Sequence, residues 1–215
     1  MYDAYGVNMH ESNWEISGPA GLLEADWMQA DDAESPAALA VVVHPHPLGG
    51  GTMNNKVVTT LARTCRDLGM AVVRFNFRGV GRSAGVHDHG RGELDDLRAV
   101  IEMARHRLPG VPLHLAGFSF GSYIAAAGAD QVRSLLLIAP PVENYPFARL
   151  TLAHPVAVLQ GDQDELVSVQ SVRDWVAEAQ VDTYHELAGC SHFFHGRLPE
   201  LSALTRSWLM SLPQD

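Results

Sequence analysis

An apolar run, Val111 to Ala116, leads into Gly117-Phe118-Ser119-Phe120-Gly121, and a small, alanine-rich segment, Ser122 to Ala127, follows it. This G-x-S-x-G pattern constrains the chain more than any other feature, because in this setting it reads as strand, sharp turn and helix. The turn forces the central serine into a strained, exposed conformation. Glycine is needed on both sides, since a Cβ there would collide with the neighbouring strand or helix. A hydroxyl held this way is a weak nucleophile until a base takes its proton. The pentapeptide therefore predicts chemical partners elsewhere in the chain.

The remaining pattern supplies strand ends from which partners can come. A hairpin is expected first, with Asn13–Ser17 and Leu22–Met28 flanking Gly18-Pro19-Ala20-Gly21. Asp31 to Pro36 is a polar connector. Apolar runs then alternate with helical patterns. Strands are expected at Ala38–Val43, Ala71–Phe75, Leu113–Ala116, Ser134–Ile138, Val156–Gln160 and Thr183–Leu187. Helices are expected at Asn54–Leu68, with Gly69 as its C-cap, and at Glu93–Leu108, Val169–Ala179 and Pro199–Met210. Fully apolar strands between helices indicate a mostly parallel sheet covered on both faces, an α/β fold in one domain over residues 1–215. Only Ala139–Pro155 separates two of the strands, and its four prolines suit a loop rather than a lid.

Composition narrows the function. The chain of 215 residues is 47% hydrophobic, enough for a full core, and carries a net charge of -10. That charge argues against a nucleic-acid surface, which needs clustered Lys and Arg. No apolar segment is long enough to span a bilayer, and Met1 to Gly6 lacks the basic and apolar parts of a signal peptide. The two cysteines, Cys65 and Cys190, make neither a disulfide framework nor a zinc set, so a reducing cytoplasm is expected. The expected partner is a small molecule, with the chain a monomer or homodimer.

Downstream of Ser119, two strand ends carry the required side chains. Val156–Gln160 runs into Gly161-Asp162-Gln163-Asp164, and Thr183–Leu187 into Ala188-Gly189-Cys190-Ser191-His192-Phe193-Phe194-His195. Serine, then acid, then histidine, each past a different strand, can converge. His192 is preferred to His195, because Gly189 to Ser191 forms a flexible approach to it while Phe193 and Phe194 anchor the loop in the core. Asp162 and Asp164 both stay open as the acid; Ser168, directly before Val169, suits the helix cap better than either.

Acyl transfer also needs two N–H donors for a developing oxyanion. One is expected from Phe120, just after the serine. The other falls in His44-Pro45-His46-Pro47-Leu48-Gly49-Gly50-Gly51, where neither proline has an N–H. His46 is the expected donor and Leu48 the reserve. The His44-x-His46 pair would need a further ligand, such as Asp88 or His89, to hold zinc, so no metal is expected. The glycine run lacks the Gly-Lys-Ser/Thr ending of a phosphate loop, so no nucleotide is expected either. Phe118, Leu48, Tyr145 and Phe147 are candidates for the substrate pocket, with Phe118 equally a core residue. Arg78, Arg82 and His87 are read as salt-bridge partners rather than anion binders.

Taken together, these stretches resemble the α/β-hydrolase superfamily, and within it a group of small, uncapped bacterial serine hydrolases and esterases. Gly50-Gly51-Thr52-Met53-Asn54-Asn55-Lys56-Val57-Val58, Arg74-Phe75-Asn76-Phe77-Arg78-Gly79-Val80-Gly81-Arg82-Ser83 and Ser191-His192-Phe193-Phe194 belong to the same match, which extends from Ala38 to Met210. The resemblance implies a triad of Ser119, Asp164 and His192, choosing Asp164 over Asp162. It also implies esterase-like activity on small substrates and no cofactor. One departure is His44-Pro45, where the superfamily's oxyanion loop often reads His-Gly. The expectation is a carboxylesterase that cleaves small or short-acyl esters through an acyl-serine. An acyl thioesterase would use the same triad, but a charge of -10 suits coenzyme A phosphates poorly. A binding protein that keeps the fold without activity is the alternative from another class, and a complete triad argues against it.

Overall fold

Side chains alternate across a strand, so a strand that is apolar at every position needs cover on both faces. Leu39, Val41 and Val43 enter one core cluster and Ala40 and Val42 the other. A computed structural model describes residues 10–29, 36–152 and 155–213. It arranges β1 (His10–Gly18), β2 (Gly21–Met28), β3 (Leu39–Val43), β4 (Ala71–Phe75), β5 (Leu113–Phe118), β6 (Ser134–Ile138), β7 (Val156–Gly161) and β8 (Thr183–Leu187) in one sheet. The spatial order is β1-β2-β4-β3-β5-β6-β7-β8. β2 pairs antiparallel with both β1 and β4; every other pairing is parallel.

Five helices cover this sheet among the described residues: α1 (Lys56–Arg66), α2 (Arg91–Arg107), α3 (Phe120–Ala127), α4 (Val169–Ala179) and α5 (Leu198–Ser211). α1 and α5 close one face with Val58, Leu61, Leu201 and Trp208. α2, α3 and α4 close the other with Leu97, Val100, Ile124 and Trp175. At the hairpin edge Trp14 and Trp27 meet edge to face at 5.5 Å, and the Arg107 guanidinium lies 4.3 Å from the Trp27 ring centroid.

Several boundaries move for physical reasons. The hairpin turn shrinks to Pro19–Ala20, because Gly18 pairs with Gly21, which sits at φ +114°. α1 starts at Lys56 rather than Asn54, since the Asn55 side chain accepts the Val57 N–H at 2.9 Å. It ends at Arg66, with Asp67 as its C-cap and Gly69 two residues further on at φ +82°. β5 runs past Ala116, because Gly117 and Phe118 continue the ladder opposite Leu137 and Ile138. α2 begins before Glu93, whose buried carboxylate accepts the Asp88 and Gly90 N–H groups at 2.8 Å each and so caps the helix. The connector residues 31–35 and the Met1–Gly6 segment lie outside the described residues.

Between β6 and β7 the described residues hold one 3-10 turn, Phe147–Arg149, and no lid. Among the described residues no helix is long and apolar enough to cross a membrane. Parallel strands place their carboxyl ends along one edge of the sheet, the edge where open α/β sheets bind ligands. The loops after β3, β4, β5, β7 and β8 meet there.

Candidate active site

Ser119 sits between β5 and α3 at φ +54° and ψ −122°, a left-handed conformation that a side-chain-bearing residue adopts only when its surroundings compel it. Its N–H donates to the Ile138 carbonyl at 2.8 Å, tying the turn to β6. The flanking glycines have different neighbours. A Cβ on Gly117 would run into the Gly121 carbonyl, and one on Gly121 into the carbonyls of Val43 and His44. α3 can therefore start close against the end of β3 only if position 121 lacks a side chain. Gly121→Ala is expected to cost about 3 kcal/mol or more. Thermal unfolding would measure it, and a change below about 0.5 kcal/mol would contradict the close approach.

His192 lies against this serine. Its Nε2 is 3.0 Å from Ser119 Oγ and its Nδ1 2.8 Å from Asp164 Oδ2. The carboxylate accepts the Nδ1 proton, which leaves Nε2 free to take the hydroxyl proton. The other oxygen, Asp164 Oδ1, accepts the Leu166 and Val167 N–H groups at 2.9 and 2.8 Å. Burial pushes the Asp164 pKa up, but its hydrogen bond and charge interaction with His192 and the two N–H groups outweigh it and hold it below its usual value. Gln160 Nε2 donates to Asp164 Oδ2 at 2.8 Å. Gln160 was not singled out from the sequence; its signal is an amide inside an otherwise apolar buried strand.

The neighbouring alternatives occupy other places. Asp162 Oδ1 accepts the Cys190 N–H at 3.3 Å, and the Asp162 N–H donates to Leu187, so this aspartate braces the end of β8. His195 packs against Phe193 at 5.9 Å between ring centroids. Phe194 is 0% exposed and anchors the loop as expected, whereas Phe193 is 38% exposed and does not enter the core. The His192 N–H donates to Glu165 Oε2 at 3.0 Å, a second brace that no sequence pattern indicated. Ser168 accepts the Ser171 N–H and caps α4. Cys190 is buried, and burial pushes its thiol up to about 11, which makes it a poor target for oxidation.

The loop after β3 is built around His44. This imidazole is fully buried, with Nε2 accepting the Phe77 N–H at 3.0 Å and Nδ1 2.6 Å from the Pro45 carbonyl. Burial lowers its pKa to about 4, so it is neutral, and the contacts assign the proton to Nδ1. With both nitrogens engaged, His44 cannot join His46 on a metal without breaking the loop. Among the described residues no group of three or more His, Cys, Asp and Glu is arranged to hold a metal ion. His46 Nδ1 accepts the Leu48 N–H at 3.2 Å, so the reserve donor is already engaged. Among the described residues the Phe120 and His46 N–H groups donate to no protein acceptor. Phe120 opens α3, whose first N–H groups have no acceptor within the helix.

The Arg74–Ser83 stretch packs the adjoining loop into place. Asn76 accepts the Met53 N–H and donates to Glu24, both at 2.8 Å. Ser83 Oγ donates to the Asn76 carbonyl at 2.7 Å, and Arg74 pairs with Asp26. Arg78 pairs with the buried Asp96 at 2.7 Å, Arg82 with Glu24 at 3.3 Å, and His87 Nδ1 lies 2.8 Å from Glu93. Of the pocket candidates, Phe118 and Phe147 are buried and underlie the site rather than line it; the Phe118 ring supports His192 at 5.2 Å and Phe147 packs on Trp175 at 5.1 Å. Tyr145 is half-buried beside Phe120, and Leu48 is 75% exposed.

With this arrangement in hand, the comparisons with known proteins are specific. A family model described as alpha/beta hydrolase fold matches residues 40–154. Protein RP471 of Rickettsia prowazekii (strain Madrid E) is 36% identical, over 93% of this chain and 89% of its own length. An alpha-beta serine hydrolase homologue from Coxiella burnetii superposes with a TM-score of 0.90 at 45% identity, covering 94% of this chain and 99% of that one. XC6422 from Xanthomonas campestris, described as an a/b serine hydrolase without lid, gives 0.91 at 39% identity and 97% of both chains.

Proposed function

The chain belongs to the α/β-hydrolase family, and we propose that it is a carboxylesterase cleaving small or short-acyl esters through an acyl-serine intermediate. The observation that carries this reading is the unbroken hydrogen-bonded line from Ser119 Oγ through His192 to Asp164. Ser119 Oγ attacks the ester carbonyl while His192 Nε2 takes its proton. The Phe120 and His46 N–H groups receive the oxyanion. The tetrahedral intermediate collapses, His192 returns the proton to the departing alcohol, and the acyl-serine remains. Water, deprotonated by the same imidazole, then releases the acid and restores Ser119. Asp164 keeps His192 in the productive tautomer throughout.

The substrate size follows from the short β6–β7 loop. Among the described residues nothing comparable to a lid folds over Ser119, which is itself half-buried. A shallow site gains little from a long acyl chain, because most of that chain stays in water. A p-nitrophenyl ester series from acetyl to dodecanoyl is therefore expected to give its highest kcat/KM at the short end, and a fluorophosphonate probe is expected to label Ser119. Labelling at another residue would remove the mechanism. Faster turnover of matched thioesters would move the reading to a thioesterase.

A further inference from the structure

We propose that His87, packed beside the buried Glu93, is the positioning residue for the second oxyanion donor, the His46 N–H; this rests on the serine-esterase reading above. Three rings close a triangle beside the site. His46 and His87 lie 4.9 Å apart, His46 and Phe120 5.0 Å, and His87 and Phe120 5.9 Å, all between centroids. Two of these three residues carry the oxyanion N–H groups. His87 is the third corner and has no part in the chemistry described so far.

The two donors differ in how they are held. The Phe120 N–H belongs to the first turn of α3, and the serine turn places it. The His46 N–H belongs to a loop whose next residues, Pro47 to Gly49, form one 3-10 turn with no buried side chain. Its backbone is held by His44 Nδ1 on the Pro45 carbonyl and by the Gly49 and Gly51 N–H groups on its own carbonyl, and its ring, which fixes the remaining freedom, is clamped between Phe120 and His87 and accepts the Leu48 N–H. A donor stabilises a transition state only if it is already in place, since reorganisation during the reaction would consume the gain.

His87 needs an anchor of its own, because it lies in the long segment between β4 and α2. Glu93 supplies it. Its side chain has no solvent exposure, and an unpaired buried carboxylate would be costly. It is satisfied by the Asp88 and Gly90 N–H groups and packs 2.8 Å from His87 Nδ1 without a hydrogen bond to it. The contact path therefore runs from the first turn of α2, through Glu93 and His87, to the ring of His46. His89 flanks His87 at 5.1 Å.

The test compares His87→Ala and His87→Phe with wild type, using p-nitrophenyl acetate and a trifluoromethyl ketone, which Ser119 would convert to a tetrahedral oxyanion adduct. Loss of a whole donor costs about 10²–10³ in kcat, so a misplaced one is expected to cost about tenfold in His87→Ala. KM should stay near the wild-type value, and the ketone Ki should rise by the factor by which kcat/KM falls. His87→Phe keeps a flat ring against His46 and should recover most of the loss. If His87→Ala fails to fold, His87→Leu, which keeps bulk without a flat ring, is read the same way. An unchanged kcat, a change in KM alone, a ketone Ki that does not move, or no recovery with Phe would each overturn the proposal. Absence of esterase activity in wild type would instead overturn the reading on which it rests.

Discussion

Ser119→Ala is expected to lower kcat for p-nitrophenyl acetate by about 10⁴–10⁶ while leaving the protein folded. The two effects separate because Oγ contributes to chemistry and little to packing. The hydroxyl touches His192 Nε2 at 3.0 Å, whereas the strained turn is held by backbone: the Ser119 N–H on Ile138 and the close approach of Gly117 and Gly121. Alanine has the same Cβ and meets the same φ of +54°. Its melting temperature should stay near that of wild type, so a lost rate cannot be blamed on unfolding. Equal rates in mutant and wild type would remove Ser119 from the mechanism.

Asp164→Asn is expected to lower kcat by about 10⁴, as removal of the acid's charge does in other triads. The local hydrogen bonds make the outcome specific. Oδ1 is already claimed by the Leu166 and Val167 N–H groups. An asparagine must keep its single oxygen there and turn its NH₂ toward His192 Nδ1 and Gln160. Donor then faces donor, and the imidazole is driven to the tautomer that cannot accept the serine proton. Asp162→Asn is the matched control. Its one acceptor contact, to the Cys190 N–H, survives in an amide oxygen, so kcat should change by less than about tenfold. Equal losses in the two variants would contradict the assignment.

The same carboxylate has a stability signature. Its native pKa is lowered, with burial opposed and outweighed by His192 and the backbone donors. A depressed carboxylate stabilises the fold fully above its unfolded value of about 3.9 and loses that contribution as pH falls through the native value. The unfolding free-energy gap between wild type and Asp164→Asn should therefore be constant at neutral pH and close below about pH 4. Urea titrations across that range would measure it. A gap that persists unchanged into strong acid would show that Asp164 is not held as an anion in the native state.

Much of the fold was legible because the information is local. Ser134–Ile138 and Thr183–Leu187 matched as strands and Val169–Ala179 matched as a helix, since apolar runs and helical periods survive tertiary packing. Boundaries moved where a side chain reached across the first turn, as at Asn55 and Glu93. Phe193 and Phe194 are adjacent and chemically identical, yet one is exposed and the other, at φ +54°, is buried. No periodicity encodes that.

By itself the sequence determined the order of strands and helices, the need for glycine beside Ser119, and the absence of an N–H at Pro45 and Pro47. Each follows from the chemistry of neighbouring residues. Only the tertiary structure decided which aspartate meets His192, that His44 turns inward with both nitrogens engaged, and that His87 lies between Glu93 and the ring of His46. The physical reason is distance along the chain. His192 stands 28 residues from Asp164 and 73 from Ser119, so a few tenths of an ångström between them depend on sheet order, loop length and rotamers acting together.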